Sequence, residues 1–142
     1  IRDSMQSVEA DVGSFGDRFY GRLFERHPEL RSMFRRSLRQ QARHLVDSLA
    51  CIAMSFHDGE LSEGLLEALA AVHVGYGVRR EHYSWIGENL AACFRDTLGD
   101  AWTERHEEAW DRAYRLIEAG IHRALDRIGE PLPGTPPDGD DA

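Results

Sequence analysis

The chain has 142 residues, of which 42% are hydrophobic and 30% are charged, enough for one domain with a single hydrophobic core. It is rich in Leu, Ala, Arg and Glu and poor in β-branched residues, so its composition favours helix and argues against β-sandwiches, barrels and doubly wound α/β folds. The net charge of −8 gives no electrostatic reason to expect nucleic-acid binding.

Hydrophobic residues recur every three or four positions along most of the chain, which is the spacing of one helix face. The first pattern covers residues 1–12 and predicts a short helix. A second pattern runs from Val12 to Phe24 and ends before Pro28, because the residue before a proline avoids the α-helical region. Pro28 suits the first turn of a short helix that ends near Phe34.

Four further helices are predicted downstream. They span about residues 38–56, 61–73, 80–98 and 102–128, and glycine-containing turns separate them. The whole pattern predicts an all-α domain of six or seven helices with short connections.

Residues 129–142 differ from the rest because they are rich in Gly, Pro and Asp and almost free of hydrophobic side chains. Such a composition cannot form a packed core. We therefore expect a domain at residues 1–128, followed by a disordered tail or the beginning of a linker.

The two cysteines, Cys51 and Cys93, stand in hydrophobic helical contexts. This pattern predicts buried thiols in a reducing compartment rather than a disulfide. Neither a signal peptide nor a hydrophobic run long enough to cross a membrane is found in the sequence. We therefore expect a cytoplasmic protein that does not insert into membranes.

His73 stands on the hydrophobic stripe of the helix at residues 61–73, one turn after Leu69. The residues alone leave two interpretations open. Such a histidine can be a core residue bonded to a main-chain carbonyl, or an axial ligand of haem iron. A haem ligand must be neutral and needs an acceptor for its other ring N–H, inside a mostly hydrophobic pocket.

Several further residues occur in an order and spacing that are specific when taken together. They are Phe19-Tyr20-x-x-Leu23-Phe24-x-x-His27-Pro28-Glu29-Leu30-x-x-x-Phe34, then Gln41-x-x-x-Leu45, then His73-x-x-x-Gly77-Val78, and His82-Tyr83. From about residue 5 to residue 128, this set resembles the bacterial globins, and most of all the single-domain bacterial haemoglobins and the haem domains of flavohaemoglobins. The resemblance implies a globin fold around one haem b.

The resemblance also implies roles for the matching residues. His73 is implied as the proximal iron ligand, and Phe34 as the aromatic residue that stacks on the porphyrin. The residues expected to contribute the rest of the haem contacts are Leu69, Val72, Val78, Tyr83 and Ile86. His44 is placed near the pocket edge, where it would pair with a haem propionate or face solvent; a role as sixth iron ligand stays open.

On the other side of the haem, the resemblance implies a distal set made of Tyr20, Gln41 and Leu45. Gln41 and Leu45 are one helical turn apart, so both can face a bound ligand. The phenol and the amide each carry a hydrogen-bond donor that stabilises bound O2 in a dry pocket. We therefore expect high oxygen affinity and slow O2 dissociation.

The proximal side departs from the family. Flavohaemoglobin-like globins usually join the proximal histidine to a tyrosine and to a glutamate near the end of the last helix. Tyr83 matches the tyrosine, but Leu125 stands where the glutamate belongs, and Glu118 lies two turns earlier. We expect Glu118 not to replace it, which argues against peroxidase-like chemistry.

The resemblance implies reversible binding of O2, NO and CO. Conversion of NO to nitrate, as a nitric oxide dioxygenase, is one enzymatic alternative, and simple oxygen binding without catalysis is the other. The chain carries neither a flavin nor a nicotinamide module, so turnover would need a separate reductase, or a reductase or signalling domain beyond residue 142. A sensor domain of a larger signalling protein and a haem-free regulatory module stay open as alternatives, and the sequence is compatible with a homodimer.

Overall fold

The computed structural model describes residues 1–34, 36–56 and 58–129. Within these ranges it contains six α-helices and two short 3-10 helices. The α-helices are α1 (Arg2–Ala10), α2 (Val12–Arg26), α3 (Leu38–Ser55), α4 (Glu63–Gly75), α5 (Arg80–Leu98) and α6 (Glu104–Ile128), and the 3-10 helices are Pro28–Met33 and Gly99–Ala101. The predicted all-α class is confirmed.

Local side chains explain where the helices begin and end. Asp11 begins α2 by accepting a hydrogen bond from the Ser14 amide, and Ser37 does the same for the Gln40 amide at the beginning of α3. Gly99 ends α5 with a φ of +53°, which an L side chain rarely adopts. Since a 3-10 turn follows it, α6 begins two residues later than residue 102, where the sequence predicted it.

The helices pack around two hydrophobic clusters. The first cluster joins α1, α2, α3 and α5, and its buried members include Phe15, Phe19, Tyr20 and Phe94. The second cluster lies where α4 packs against α6, and its buried members are Ile52, Leu66, Ala70, Tyr83, Ile117, Ile121, Ala124 and Leu125. This division leaves space between the clusters, and the site described below occupies it.

Buried polar side chains tie distant helices together. Asn89 on α5 donates a hydrogen bond of 2.8 Å to the Phe19 carbonyl on α2, and the indole of Trp110 on α6 donates one of 2.7 Å to the Ser4 hydroxyl on α1. Each bond satisfies a polar group whose burial without a partner would destabilise the fold. These bonds join α5 to α2 and α6 to α1 without using any residue of the predicted site.

The expectation for the cysteines is half right. Cys93 is buried, but the prediction for Cys51 is wrong, because its side chain is exposed. The buried face of α3 carries Leu49, Ile52 and Ala53, and Cys51 points away from that face. Both thiols are free.

α6 ends at Ile128, where the sequence placed the end of the domain. Of the predicted tail, only Gly129 belongs to the described part of the chain, so the proposed tail or linker at 130–142 lies outside it. Among the helices of the described ranges, none combines the length and hydrophobicity that a membrane crossing requires.

Candidate functional site

A cavity of about 910 Å³ lies between the two hydrophobic clusters. Its volume falls at the upper end of the range for small-molecule and cofactor sites. Side chains from α2 to α6 line it, together with residues of the first 3-10 helix. All the residues predicted to contact haem or its ligand are among them: Tyr20, Phe34, Gln41, His44, Leu45, Leu69, Val72, His73, Val78, Tyr83 and Ile86.

His73 lies in the last turn of α4 and is half-buried. Its Nδ1 atom is 2.7 Å from the main-chain oxygen of Leu69, one turn earlier. A carbonyl oxygen only accepts, so Nδ1 must carry the proton and donate it. The other ring nitrogen, Nε2, then holds a free lone pair. This bond fits both interpretations of His73 made from the sequence, but a residue that lines a large cavity is not a closed core residue.

Burial lowers the pKa of His73 below its ordinary value of 6.5, against a smaller opposite effect of the Leu69 carbonyl. The imidazole is therefore neutral at pH 7. A neutral ring, with Nδ1 engaged by a carbonyl and Nε2 available, has the protonation and orientation that a metal ligand requires.

Two aromatic side chains stand next to His73. The ring centroids of Tyr83 and His73 are 6.1 Å apart, and those of Tyr76 and His73 are 6.3 Å apart. Tyr83 is buried, and the hydroxyl of Tyr114 on α6 donates a hydrogen bond to its main-chain carbonyl. Tyr83 therefore has both its ring and its backbone fixed beside the imidazole.

Sequence reasoning missed one residue in this region. The ring of His122 on α6 packs edge-to-face against Tyr83, with centroids 6.2 Å apart and an interplanar angle of 77°. Its Nε2 atom lies 3.8 Å from a carboxylate oxygen of Glu118, one turn earlier on α6. The signal in the sequence was the Glu118-x-x-x-His122 spacing on the helix that carries Ile117 and Ile121.

The predicted distal residues Tyr20 and Gln41 contact each other. Tyr20 is 2% exposed, and its hydroxyl donates a hydrogen bond of 3.3 Å to the main-chain oxygen of Gln41. Burial raises the pKa of the phenol above its ordinary value of 10, so the hydroxyl keeps its proton at every physiological pH. The phenol is thus a permanent hydrogen-bond donor in the wall of the cavity.

Aromatic rings surround Tyr20. Phe34 meets its ring edge-on at 5.4 Å, and Phe24 stacks on it at 5.9 Å. Phe34 also packs edge-on against Phe24 and lines the cavity. The bend at Pro28 allows this contact, because it turns the chain after α2 and returns Phe34 to the side of Tyr20.

Polar side chains line the cavity at its solvent side. His44 is exposed, and its Nε2 atom lies 2.5 Å from Nη1 of Arg36. Because a guanidinium only donates, Nε2 of His44 accepts and the ring proton sits on Nδ1. His82 lines another part of the cavity and accepts a hydrogen bond from the Arg79 amide at Nδ1; burial lowers its pKa below the ordinary value.

Val72, a predicted haem contact, and Leu125, which stands where the family has a glutamate, have distinctive environments. Val72 lines the cavity but is 52% exposed, so it lies at an opening rather than deep in the wall. Leu125 is 2% exposed within the second cluster, which explains why the last helix tolerates a hydrophobic residue there.

Comparison with known proteins connects this geometry to a family. Residues 17–121 match the family model described as Globin. A flavohemoprotein of Bordetella pertussis is 36% identical over 113 residues, covering 75% of this chain and 28% of the relative. A flavohemoprotein of Rhizobium meliloti is 37% identical over 101 residues, covering 68% of this chain and 25% of the relative. The chain therefore spans about a quarter of the length of these relatives.

A solved structure has the same fold. It is a flavohemoglobin from Malassezia yamatoensis, described with bound FAD and heme, and it covers 90% of this chain with a TM-score of 0.67 and 23% sequence identity. This chain covers 37% of that one. The resemblance to a bacterial globin, inferred from the residues above, is confirmed by these matches.

Proposed function

The chain belongs to the globin family, and we propose that it is a haem protein that binds O2 reversibly and with high affinity, and also binds NO and CO. The family bears out the predicted haem cofactor. One observation carries the assignment of the iron ligand: Nδ1 of His73 is bonded to the Leu69 carbonyl, and Nε2 is left free beside a cavity of about 910 Å³.

The residues of the cavity fit a haem. Hydrophobic side chains on both clusters supply contacts for the two porphyrin faces, among them Phe34, Leu45, Leu69 and Ile86. Arg36 and His44 supply cationic or donor groups at the solvent side, where two carboxylates must be placed. When bound, the haem supplies an iron atom with a coordination position for a diatomic ligand.

On the proximal side, the protein keeps the imidazole of His73 neutral and fixes its orientation. Burial disfavours the charged ring, and the hydrogen bond to Leu69 restricts its rotation. Both effects act before any ligand arrives. The entropy cost of ordering the imidazole is therefore part of folding and does not reduce the affinity for the ligand.

On the distal side, Tyr20 and the amide of Gln41 provide the hydrogen-bond donors. A phenol has one hydroxyl proton, so donation to a ligand must replace the hydrogen bond from Tyr20 to the main-chain carbonyl of Gln41. That bond is 3.3 Å long, beyond the usual length for a hydroxyl donor, so exchanging it costs little. Each donor then stabilises a ligand with partial negative charge by about 1 kcal/mol net.

We also propose that the protein converts NO to nitrate when a separate reductase restores the ferrous iron. Flavohemoproteins are its relatives, and the part of them that this chain matches is about a quarter of their length. One O2 and one NO give one nitrate and leave one ferric haem. Without a reductase, the reaction therefore stops after one turnover.

The single-turnover reaction tests this proposal. Ferrous protein is equilibrated with O2 and mixed with one equivalent of NO, and nitrate is quantified. We expect about one nitrate per haem, with matching formation of ferric haem in the spectrum. Loss of NO without nitrate would contradict the enzymatic proposal. The proposal of oxygen binding is tested separately, by the O2 dissociation rate.

We also propose a cytoplasmic location, which the cysteines support. Both thiols are free, and one of them is exposed. An exposed free thiol persists where glutathione keeps it reduced. In that compartment, a soluble reductase partner would also be found.

A further inference from the structure

A buried polar residue stands behind the distal wall of the cavity. Asn89 lies in the interior of α5, is 2% exposed and does not line the cavity. Asparagine is a poor residue for a helix interior, and burial of its amide without partners would destabilise the fold. The bonds that this amide makes therefore show what the residue contributes.

Both polar atoms of the Asn89 side chain have partners. Nδ2 donates a hydrogen bond of 2.8 Å to the main-chain carbonyl of Phe19 on α2, and Oδ1 lies 3.9 Å from Sγ of Cys93, one turn later on α5. Burial raises the pKa of the Cys93 thiol to about 11, so the thiol keeps its proton and can donate it to Oδ1. Because the Phe19 carbonyl only accepts, the two partners together fix the orientation of the amide.

The bond from Asn89 holds the peptide unit from which Tyr20 extends, because the carbonyl carbon of Phe19 is covalently bonded to the amide nitrogen of Tyr20. The hydrogen bond from the Tyr20 hydroxyl to the Gln41 carbonyl is 3.3 Å long and restrains the phenol only weakly. The rings that surround Tyr20 come from α2 and from the segment after it, so they move with α2. The placement of α2 therefore determines where the hydroxyl stands in the cavity.

Bonds at the surface also join α2 to α5. Arg22 pairs with Asp96 at 2.6 Å, with side chains 33% and 48% exposed. Arg18 donates an exposed hydrogen bond of 3.2 Å to the Thr97 hydroxyl. Exposed pairs of this kind contribute little, because water competes for both partners. The bond from Asn89 is buried, so it restrains α2 more strongly.

We propose that Asn89 is a positioning residue that fixes α2 at Tyr20 and thereby sets how strongly the Tyr20 hydroxyl donates to a ligand in the cavity. The inference rests on the proposed function, since the place of the hydroxyl matters only if a bound ligand accepts from it. Asn89 does not line the cavity, so its effect on the ligand must pass through Tyr20.

The infrared C–O stretching band of the ferrous CO complex measures this effect. A hydrogen-bond donor near bound CO draws electron density onto the ligand and lowers the frequency of the band. Asn89→Leu keeps a side chain of similar size and removes the amide, so the band should shift to higher frequency, toward that of Tyr20→Phe. O2 dissociation should accelerate about twofold to threefold, which is less than in Tyr20→Phe.

A double-mutant cycle separates positioning from a general loss of structure. In a Tyr20→Phe background, Asn89→Leu should change neither the band nor the O2 dissociation rate further, because no hydroxyl is left to position. The same shift in both backgrounds would overturn the inference, and so would a wild-type band in the single Asn89→Leu variant. If Asn89→Leu does not fold, Asn89→Ser replaces it, because the serine hydroxyl can bond within its own helix but is one bond shorter than the amide.

The matched control is Ser4→Ala. Ser4 is also buried and accepts a 2.7 Å hydrogen bond from Trp110 on a distant helix, but neither residue lines the cavity. The variant should unfold at a lower urea concentration and keep the wild-type band and O2 dissociation rate. A shifted band in Ser4→Ala would contradict a specific role of Asn89. A wild-type protein without a Soret band, or an unchanged O2 dissociation rate in Tyr20→Phe, would instead contradict the proposed function.

The hydrogen bond itself can be observed in the wild-type CO complex. Asn89 is the only asparagine of the chain, so labelling with ¹⁵N-asparagine gives a single side-chain amide signal in NMR spectra. We expect its protons to exchange with water much more slowly than those of the exposed Gln6 side chain, recorded after labelling with ¹⁵N-glutamine. Equally fast exchange of the two amides would contradict the bond from Asn89 to Phe19 and with it the inference.

Discussion

The two walls of the cavity hold their functional side chains in opposite ways. On the distal wall, Tyr20 stands among aromatic rings and makes one long hydrogen bond, 3.3 Å, to a carbonyl of a different helix. On the proximal wall, His73 makes a 2.7 Å bond to a carbonyl of its own helix. Under the proposed function, the Tyr20 hydroxyl can redirect its proton to an arriving ligand, whereas the His73 imidazole is fixed before anything binds.

The proposed function accounts for this difference. An iron ligand needs one protonation state and one orientation, which burial and an intrahelical acceptor provide. A distal donor must meet a ligand that comes and goes, and a weak internal bond keeps its buried hydroxyl satisfied in between. We therefore expect changes to the proximal wall to affect haem binding, and changes to the distal wall to affect the ligand.

The largest expected effect is on the proximal wall. His73→Ala removes the side chain that we propose as the iron ligand. Haem affinity should fall by more than the roughly 10- to 100-fold that loss of an outer partner costs a metal site. Soret absorbance during haem titration measures the loss, and added imidazole should restore part of it. His44→Ala is the control and should retain haem. Full haem retention by His73→Ala would contradict the assignment of His73 as the iron ligand.

The next effect concerns the close approach of α2, the helix of Tyr20, to α3. A Cβ at Gly16 would lie 2.3 Å from the Cβ of Ala42, which is fixed to α3. Gly16→Ala must push the helices apart, and we expect a loss of about 1–3 kcal/mol in the free energy of unfolding.

Gly21→Ala on the same helix is the matched control. Nothing lies within 4 Å of its added Cβ, so the better helix propensity of alanine should raise stability by about 0.5–1 kcal/mol. Urea denaturation of both variants compares the signs. Equal effects of the two substitutions would contradict the close approach of α2 and α3.

The third prediction tests the distal donor. Tyr20→Phe keeps the ring contacts and removes one hydroxyl, so O2 dissociation should accelerate roughly fivefold to tenfold, as expected for about 1 kcal/mol. Stopped-flow displacement of O2 by CO measures the rate. Haem affinity should hardly change, which separates this wall from the proximal one. An unchanged O2 off-rate would remove Tyr20 from the distal set.

The smallest prediction lies outside both walls. Arg95 and Trp102 lower the pKa of Glu107 from 4.5 to about 2. The carboxylate therefore contributes stability above about pH 4.5, which is lost as the pH falls toward 2. Because Glu107 is 41% exposed, Glu107→Gln should cost only about 0.2–1 kcal/mol at pH 7, and less at high salt.

Urea denaturation of wild type and Glu107→Gln between pH 2.5 and 7 shows the effect. The gap between them should narrow at low pH, and the haem spectrum at pH 7 should be the same in both. A variant that changes the spectrum would show that this surface pair reaches the cavity.

Much of the fold could be predicted from the sequence because local interactions determine where the helices begin and end. Pro28 and Gly99 end helices through backbone geometry that no neighbour can override, and the ends of α5 at Arg80 and Leu98 were predicted to the residue. The beginning of α6 was missed by two residues, since a 3-10 turn competes with the α-helix at that point.

The site was readable only in part. The spacing of Tyr20, Gln41 and His73 indicated a family, and the structure brings these residues to one cavity. The pairing of Arg36 with His44 and the contact of His122 with Tyr83 depend on how separate segments pack, which hydrophobic periodicity does not encode. The exposure of Cys51 was misjudged for the same reason, because its hydrophobic neighbours in sequence lie on another face of α3.

The visible spectrum of the purified protein, after addition of haem, tests the central claim most directly. The ferric, ferrous and CO-bound forms should each show a Soret band. The ferrous band should shift on CO binding as expected for iron held by one histidine with an exchangeable sixth position, and the ferric form reports whether His44 or another residue fills that position. The absence of a Soret band after haem addition would contradict the account.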